Sequence, residues 1–216
     1  MTEKLFWDNP YLKECEARVI EIKDKEVKLD RTIFYAFSGG QASDSGSIGG
    51  VKVKEAIKKG REIVYILEEE PGFKAGETVK VSIDWNKRYK IMRLHSAAHI
   101  VYYFLNKELG IERLIGSNIS QEKARLDFEY PESVKKYLEK IEEKANEFIS
   151  QGYEIKTYAD KSDKERRWWE CENIKYPCGG THVKNTKEIG RVKLKRKNIG
   201  KGKERVEIFV EGEIKK

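Results

Sequence analysis

The sequence predicts an α+β fold, and three observations predict it. Short segments of alternating apolar and polar residues fill residues 1–84; from Trp85 the apolar residues recur every three or four positions; and beyond that point helical and strand patterns alternate to the end of the chain. The expectation is a small antiparallel β-barrel over residues 1–84, followed by an α+β domain over residues 85–216.

In the first part, Ala17 to Leu29 alternates around the turn-like Lys23-Asp24-Lys25, and Thr32 to Phe37 reads as another short strand. Ser38 to Gly50 is glycine- and serine-rich. Val51-Lys-Val, Glu62 to Leu67 and Thr78 to Ile83 supply further strands, divided by turns at Lys59-Gly60 and Pro71-Gly72. From Trp85 to Leu109 the residues Ile91, Leu94, Ala98, Val101 and Leu105 mark an amphipathic helix, with Asp84 as N-cap and Gly110 just past its end. A second helix is expected from Pro131 to Gln151, and Ser162-Asp-Lys-Glu165 has the capping-box pattern of a short third one. Strands are expected at Ala124–Phe128, Tyr153–Tyr158, Arg191–Arg196 and Arg205–Val210, the last two forming a hairpin.

Composition narrows the function. The chain has 216 residues, 38% charged and 38% hydrophobic, with two Met, a balance that suggests heat adaptation through surface ion pairs. Net charge is +7, and the stretch from Val183 to Arg205 holds ten Lys or Arg against Glu188 and Glu204. Localised positive charge suits a polyphosphate partner, because each neutralised phosphate releases counterions. The N-terminal residues lack an apolar signal region and no long apolar run follows, so the protein is expected to be cytoplasmic, without a membrane span. Cys15, Cys171 and Cys178 are odd in number and unevenly spaced, which argues against a disulfide framework.

The chemistry centres on three His. His95 and His99 lie four apart on the long helix and so share a face; His182 follows Cys178 by four. Every His in the chain thus sits in a pair with metal-ligand spacing, and a set of three imidazoles and a thiolate suits one Zn²⁺. A metallopeptidase of the H-E-x-x-H type is disfavoured, since Ser96-Ala97-Ala98 fills the gap where a general-base Glu belongs. Ligand pairs so far apart also differ from the compact spans of zinc fingers.

Leu94-His-Ser-Ala-Ala-His99 and Cys178-Gly-Gly-Thr-His-Val183 resemble the two signature motifs of the editing domain of alanyl-tRNA synthetase, a domain also found free-standing as AlaX-type proteins and, more distantly, in threonyl-tRNA synthetase. Phe34-Tyr-Ala-Phe-Ser-Gly-Gly-Gln41 with Asp44-Ser-Gly46 is similar to the glycine-rich motif preceding that domain, Arg125-Leu-Asp-Phe128 to its central strand, and Ile199 to Val206 to its closing hairpin. The resemblance keeps the order of all five motifs over residues 30–212. It implies a zinc-containing deacylase domain at 85–216 and, because the chain ends soon after the hairpin, a medium-length protein acting in trans.

What the resemblance implies is hydrolysis of the ester in mischarged alanine tRNA, carrying serine and also glycine. Zinc at His95, His99, Cys178 and His182 either activates a bound water or anchors the substrate, with no side chain assigned as base and His182 the candidate for a loosely held ligand. Gly116, Ser117 and Asn118 are expected to line the amino-acid pocket, Gly39, Gly40 and Gln41 to form its lid or wall, and Thr181 and Arg125 to orient the ester or a phosphate. Leu114-Ile115 departs from the polar pair that synthetase domains carry there. Trp168, Trp169 and Tyr176 are either buried packing residues or stacking partners for the terminal adenine. The basic stretch around Lys193, Lys195, Arg196, Lys197, Lys201 and Lys203 is the expected tRNA contact. Rival readings are a non-catalytic, zinc-stabilised tRNA-binding module, editing of threonine tRNA, and a zinc hydrolase of small molecules.

Overall fold

The computed structural model describes residues 2–212. The chain divides into two compact units, Met1–Ser38 with Ala42–Arg88 and Gly39–Gln41 with Tyr89–Lys216.

The first unit is built from β1 (Glu3–Lys4), β2 (Glu14–Lys23), β3 (Glu26–Leu29), β4 (Arg31–Thr32), β5 (Gly46–Ile48), β6 (Val51–Lys59), β7 (Glu62–Leu67) and β8 (Thr78–Ile83). β1 and β4 form a short parallel pair, and the other six close a barrel in the order β2-β3-β7-β6-β5-β8. Lys23 pairs with Glu26 across a two-residue turn in which Asp24 takes φ 53°, a conformation a short polar side chain tolerates. Register shifts in β2 at Val19/Glu21 and in β6 at Val53/Glu55 let those long strands coil around the closed sheet. Val27, Ile48, Tyr65 and Val81 fill the interior with no exposed surface. At Gly46 a Cβ would lie 2.0 Å from the Ser82 carbonyl oxygen, so only glycine lets β5 and β8 approach so closely.

The strand expected at Thr32–Phe37 is confined to Arg31–Thr32. Ile33 to Ala36 is buried, but side chains rather than a neighbouring strand meet its polar groups. Asp44 accepts from the backbone N–H of Tyr35 at 2.6 Å, and Arg88 donates to the carbonyl of Ile33 at 2.6 Å. Arg88 and Asp44 are themselves fully enclosed and paired bidentately along one guanidinium edge, Nε to Oδ1 at 2.9 Å and Nη2 to Oδ2, while Nη1 donates to the Pro10 carbonyl at 3.0 Å. A buried charge is tolerated only when satisfied in this way.

α1 (Trp85–Leu109), which belongs to the second unit from Tyr89 onward, begins under the Asp84 cap, whose carboxylate accepts from the N–H of Lys87, and ends at Gly110 with φ 67°. Its apolar period is that of an amphipathic helix, and residues 91–98 are buried without interruption. Its polar members are satisfied inside: Arg93 Nε donates to the Ile189 carbonyl, and Ser96 Oγ accepts from the N–H of Val183. β9 (Gly116–Ile119) and β10 (Ala124–Glu129) follow, then α2 (Lys135–Ser150), β11 (Lys156–Ala159), β12 (Arg167–Cys171), β13 (Ile174–Pro177), β14 (Val192–Gly200) and β15 (Lys203–Val210). One antiparallel sheet has the order β14-β15-β10-β9 and a second the order β11-β12-β13. The open edge of β14 is covered by α2, with Asn146 bonding both N–H and C=O of Val192 and Glu142 accepting from the N–H of Leu194.

Two helix expectations are corrected. α2 starts at Lys135, not Pro131, because Tyr130 is still tied to the hairpin turn at Gly202 and the buried carboxylate of Glu204 takes the N–H of Val134. The capping-box pattern at Ser162–Glu165 opens no helix. It is the turn joining β11 to β12, where Asp160 accepts from Ser162 and Asp163 from Glu165, which satisfies the backbone within a connection too short for a helix. No helix among the described residues is long and apolar enough to cross a membrane.

Asp44→Ala, which strands Arg88 in the core, is expected to lower unfolding free energy by about 3–5 kcal/mol in denaturant titration. Arg196 holds the Glu204 carboxyl below its ordinary value, so this pair stabilises above that value and the contribution is lost as pH falls. The stability gap between wild type and Glu204→Gln is therefore expected to be constant above about pH 5 and to shrink below about pH 4.

Candidate metal centre

His95 and His99 project from one face of α1, and Cys178 and His182 come from the segment after β13. Their four donor atoms lie within 4.8 Å of one another. Cys178 Sγ stands 3.5 Å from His95 Nε2 and 3.6 Å from His182 Nε2, spacings suited to ligands that share one tetrahedral ion, roughly 3.5 Å apart for zinc–sulfur and zinc–nitrogen bonds. His99 Nε2 is buried with no hydrogen-bond partner, as expected of a nitrogen whose partner is an ion.

Gln41 determines how His95 presents itself. Its Oε1 accepts from the backbone N–H of Thr181 at 2.9 Å, a group that can only donate, and its Nε2 donates to Thr181 Oγ1 at 2.9 Å. The amide orientation is thereby set, so at 2.8 Å His95 Nδ1 must be the protonated nitrogen donating to Oε1. The lone pair of Nε2 is left facing the cluster, which is the outer-shell arrangement that orients an imidazole ligand. Gly180 packs against the same edge of the ring, where a Cβ would lie 2.3 Å from His95 Cε1 and 2.5 Å from Gln41 Oε1. His99 is held by stacking, with Trp169 at 4.7 Å and Tyr176 at 5.5 Å between ring centroids.

The ligand loop is anchored beyond His182 by a capping box, Asn185 with Glu188, and by Thr186, whose hydroxyl donates to the Ile149 carbonyl at the end of α2. Burial pushes His95 down to about 4, and burial with the neighbouring imidazoles holds His99 and His182 well below the usual histidine value. Burial thus favours the neutral, ligating form of all three. Burial pushes the Cys178 thiol up to about 11, so a cation is what would favour its thiolate.

A cavity of about 480 Å³ opens on this cluster. His95, His99 and Cys178 line it, with Ala98, Leu114, Ile119 and Leu126 as apolar wall and Tyr102, Glu112, Ser117, Tyr176 and Gly39 supplying polar or backbone surface. His182, expected as the loose ligand, is only 2% exposed and is not among the lining residues; His99 and Cys178 are the less buried pair.

The other site expectations divide. Ser117 and Gly39 face the cavity, and Gly40 packs on Ser117, where a Cβ would lie 2.8 Å from Oγ. Gln41 and Thr181 are buried and turned toward His95. Gly116, Asn118 and Arg125 belong to the opposite face of the β9–β10 ladder from Ser117 and Leu126, because neighbours on a strand point to opposite sides. Arg125 there makes a 2.8 Å ion pair with Asp127, two residues along its own strand. In the basic stretch, Arg196 is turned to the buried Glu204 at 2.5 and 2.6 Å. Trp169 is fully buried, whereas Trp168 lies on the other face of β12, its Nε1 donating to Asp160. The roles of Gln41 toward His95 and of Gly180 against its ring are not visible in sequence; the one available sign is the paired glycine before Thr181-His182.

Comparison with known proteins agrees with this arrangement. Residues 169–207 match the family described as the threonyl and alanyl tRNA synthetase second additional domain, and residues 6–87 match class II (A) tRNA synthetases. The alanyl-tRNA editing protein AlaX-M of Pyrococcus horikoshii is 44% identical over 98% of this chain and 99% of its own length. AlaX-M of Saccharolobus solfataricus is 36% identical over 95% of this chain and 98% of its own. The alanine–tRNA ligase of Methanococcus maripaludis is 35% identical over 95% of this chain, which corresponds to 26% of the ligase. Full-length similarity at this level, on a chain that gathers His95, His99, Cys178 and His182 into one cluster, places it in the AlaX-M family of alanyl-tRNA editing proteins.

Proposed function

We propose that this chain is a trans-acting editing deacylase that hydrolyses the ester of mischarged alanine tRNA, with serine and also glycine as the amino acids removed. The observation that carries the reading is the four-ligand cluster at the floor of a cavity in a chain of AlaX-M descent. An alanine-activating site discriminates poorly against one added hydroxyl, by about 10²-fold, and cannot exclude the smaller glycine by size. A second site that takes the error and spares the correct product restores fidelity.

His95, His99, Cys178 and His182 would hold one Zn²⁺, for which this donor set is suited. When bound, zinc supplies a positive charge that polarises an ester carbonyl or acidifies a water. The chain's own residues do the rest. Gln41 and Gly180 keep His95 in one tautomer and one orientation. The apolar wall of Ala98, Ile119 and Leu126 lowers the polarity beside the reacting ester and so strengthens the electrostatics around it. The Ser117 hydroxyl lines the cavity and is positioned to bond a serine side chain; alanine in that place would leave it unpaired, a cost that disfavours the correct product. Tyr102 and Tyr176, ring centroids 5.3 Å apart in the same wall, offer an aromatic surface to the terminal adenosine. The substrate tRNA is the partner, with the basic stretch of β14 and β15 as its proposed contact.

Wild-type protein is expected to release serine from alanine tRNA, and glycine more slowly or equally, while sparing alanine; Cys178→Ala is expected to lose this activity, read as acid-precipitable labelled amino acid over time. Binding of the tRNA with no release of any of the three would leave a non-catalytic binding module. Gln41→Leu removes the acceptor of His95 Nδ1 and is expected to weaken zinc about 10–100-fold in chelator competition, with the fold retained.

A further inference from the structure

The four-stranded sheet has two unlike faces. Val192, Leu194, Val206, Ile208, Ala124, Leu126 and Phe128 are buried on the inner one. The alternate residues therefore form the outer face, in register as Lys193 opposite Phe209, Lys195 opposite Glu207 and Lys197 opposite Arg205, with Arg125 opposite Glu207 in the next ladder. Toward the end of β15 is Phe209, a half-buried ring with Lys195 Nζ 5.1 Å and Lys123 Nζ 6.0 Å from its centroid.

Two of the carboxylates of this face are already engaged, while Glu129, opposite Lys203 at the far end of β10, is exposed. Asp127 takes two guanidiniums, from Arg205 at 2.6 and 2.8 Å and from Arg125 at 2.8 Å, and Glu207 takes Lys123 at 2.6 Å. Lys193 is neutralised from α2 by Glu142. Lys195 and Lys197 are exposed and make no ion pair among the described residues, and one of the two guanidiniums on Asp127 is in excess. The result is a sheet face with a net positive charge around a half-buried aromatic ring.

An aromatic ring flanked by cations on a pleated surface matches a nucleic-acid strand in two ways at once: the ring stacks on an unpaired base and the ammonium groups neutralise phosphates. We propose that the outer face of the β14-β15-β10-β9 sheet docks an RNA strand of the substrate tRNA, with a base stacked on Phe209 and phosphates held by Lys195 and Lys197. The proposal rests on the deacylase reading for the identity of the RNA. It also reduces the basic stretch seen in the sequence to the residues that are free to act, leaving Arg196 on Glu204 and Lys193 on Glu142.

The test uses uncharged alanine tRNA transcript in anisotropy titrations across a salt series, with deacylation of seryl-tRNA as a second readout. Lys195→Gln with Lys197→Gln is expected to reduce the slope of log K against log salt by about 1.5–2, while Lys54→Gln with Lys58→Gln on the barrel leaves it unchanged. Phe209→Leu is expected to weaken binding at least about 5-fold, and Phe209→Tyr, which keeps a stacking ring, to retain it. In deacylation these changes raise KM and leave kcat unaltered. Equal slopes for the two lysine pairs, or wild-type binding by Phe209→Leu, would overturn the docking face. Wild-type protein that binds with these dependences but hydrolyses no ester would sink the deacylase reading and leave the face standing. Hydrolysis with KM and slope indifferent to all these changes would do the reverse.

Discussion

The hydrogen bond from His95 to Gln41 is the interaction on which the candidate centre depends. It joins three stretches far apart in the chain: the Gly39–Gln41 tripeptide, the middle of α1 and the loop carrying Cys178 and His182. One amide meets both a ring nitrogen and the Thr181 backbone, and that double engagement removes the ambiguity of amide and imidazole alike. Gly180 then brings the ligand loop against the ring at a distance no side chain permits. The tripeptide is flanked in sequence by barrel residues yet packs with the second unit, which is how a turn in the first part of the chain becomes part of the centre.

Burial gives this arrangement its chemical character. Three imidazoles removed from water stay neutral, and a thiol in the same surroundings resists ionising, so the cluster is short of positive charge and rich in lone pairs. Such a set is unfavourable without a cation and well matched to a borderline-soft one. The same logic explains why α1 tolerates Arg88, Arg93, His95 and Ser96 in a nearly continuous buried run. Each polar group has a specific acceptor or donor, and those partners come from two short stretches, Gln41 with Asp44 and Val183 with Ile189. The helix is therefore central because its polar residues are satisfied, rather than in spite of them.

The four-stranded sheet separates two tasks by the simple alternation of strand side chains. Ser117, Ile119 and Leu126 on one side belong to the cavity, while Arg125, Arg205 and Lys195 on the other form a charged face. Neighbouring residues of β9 and β10 thus act in different environments although they are adjacent in sequence.

The sequence by itself determined the α+β class, the span of α1, the closing hairpin and the four members of the His/Cys cluster, because hydrophobic period, capping residues and the scarcity of His are local signals. His95 and His99 share a face through helix geometry alone. Tertiary structure decided what those signals do not contain. The segment Ile33–Ala36 looked like a strand, but Asp44 and Arg88 supplied its hydrogen bonds instead; the start of α2 was displaced by Glu204; the capping pattern at Ser162 became a turn because β11 and β12 pair across it. Motif and charge point Gln41 to substrate and Arg196 to RNA, yet each is turned to a buried partner distant in sequence or across a hairpin. Local pattern reports propensity and spacing, whereas the direction in which a polar side chain is satisfied depends on which distant group folding brings to it.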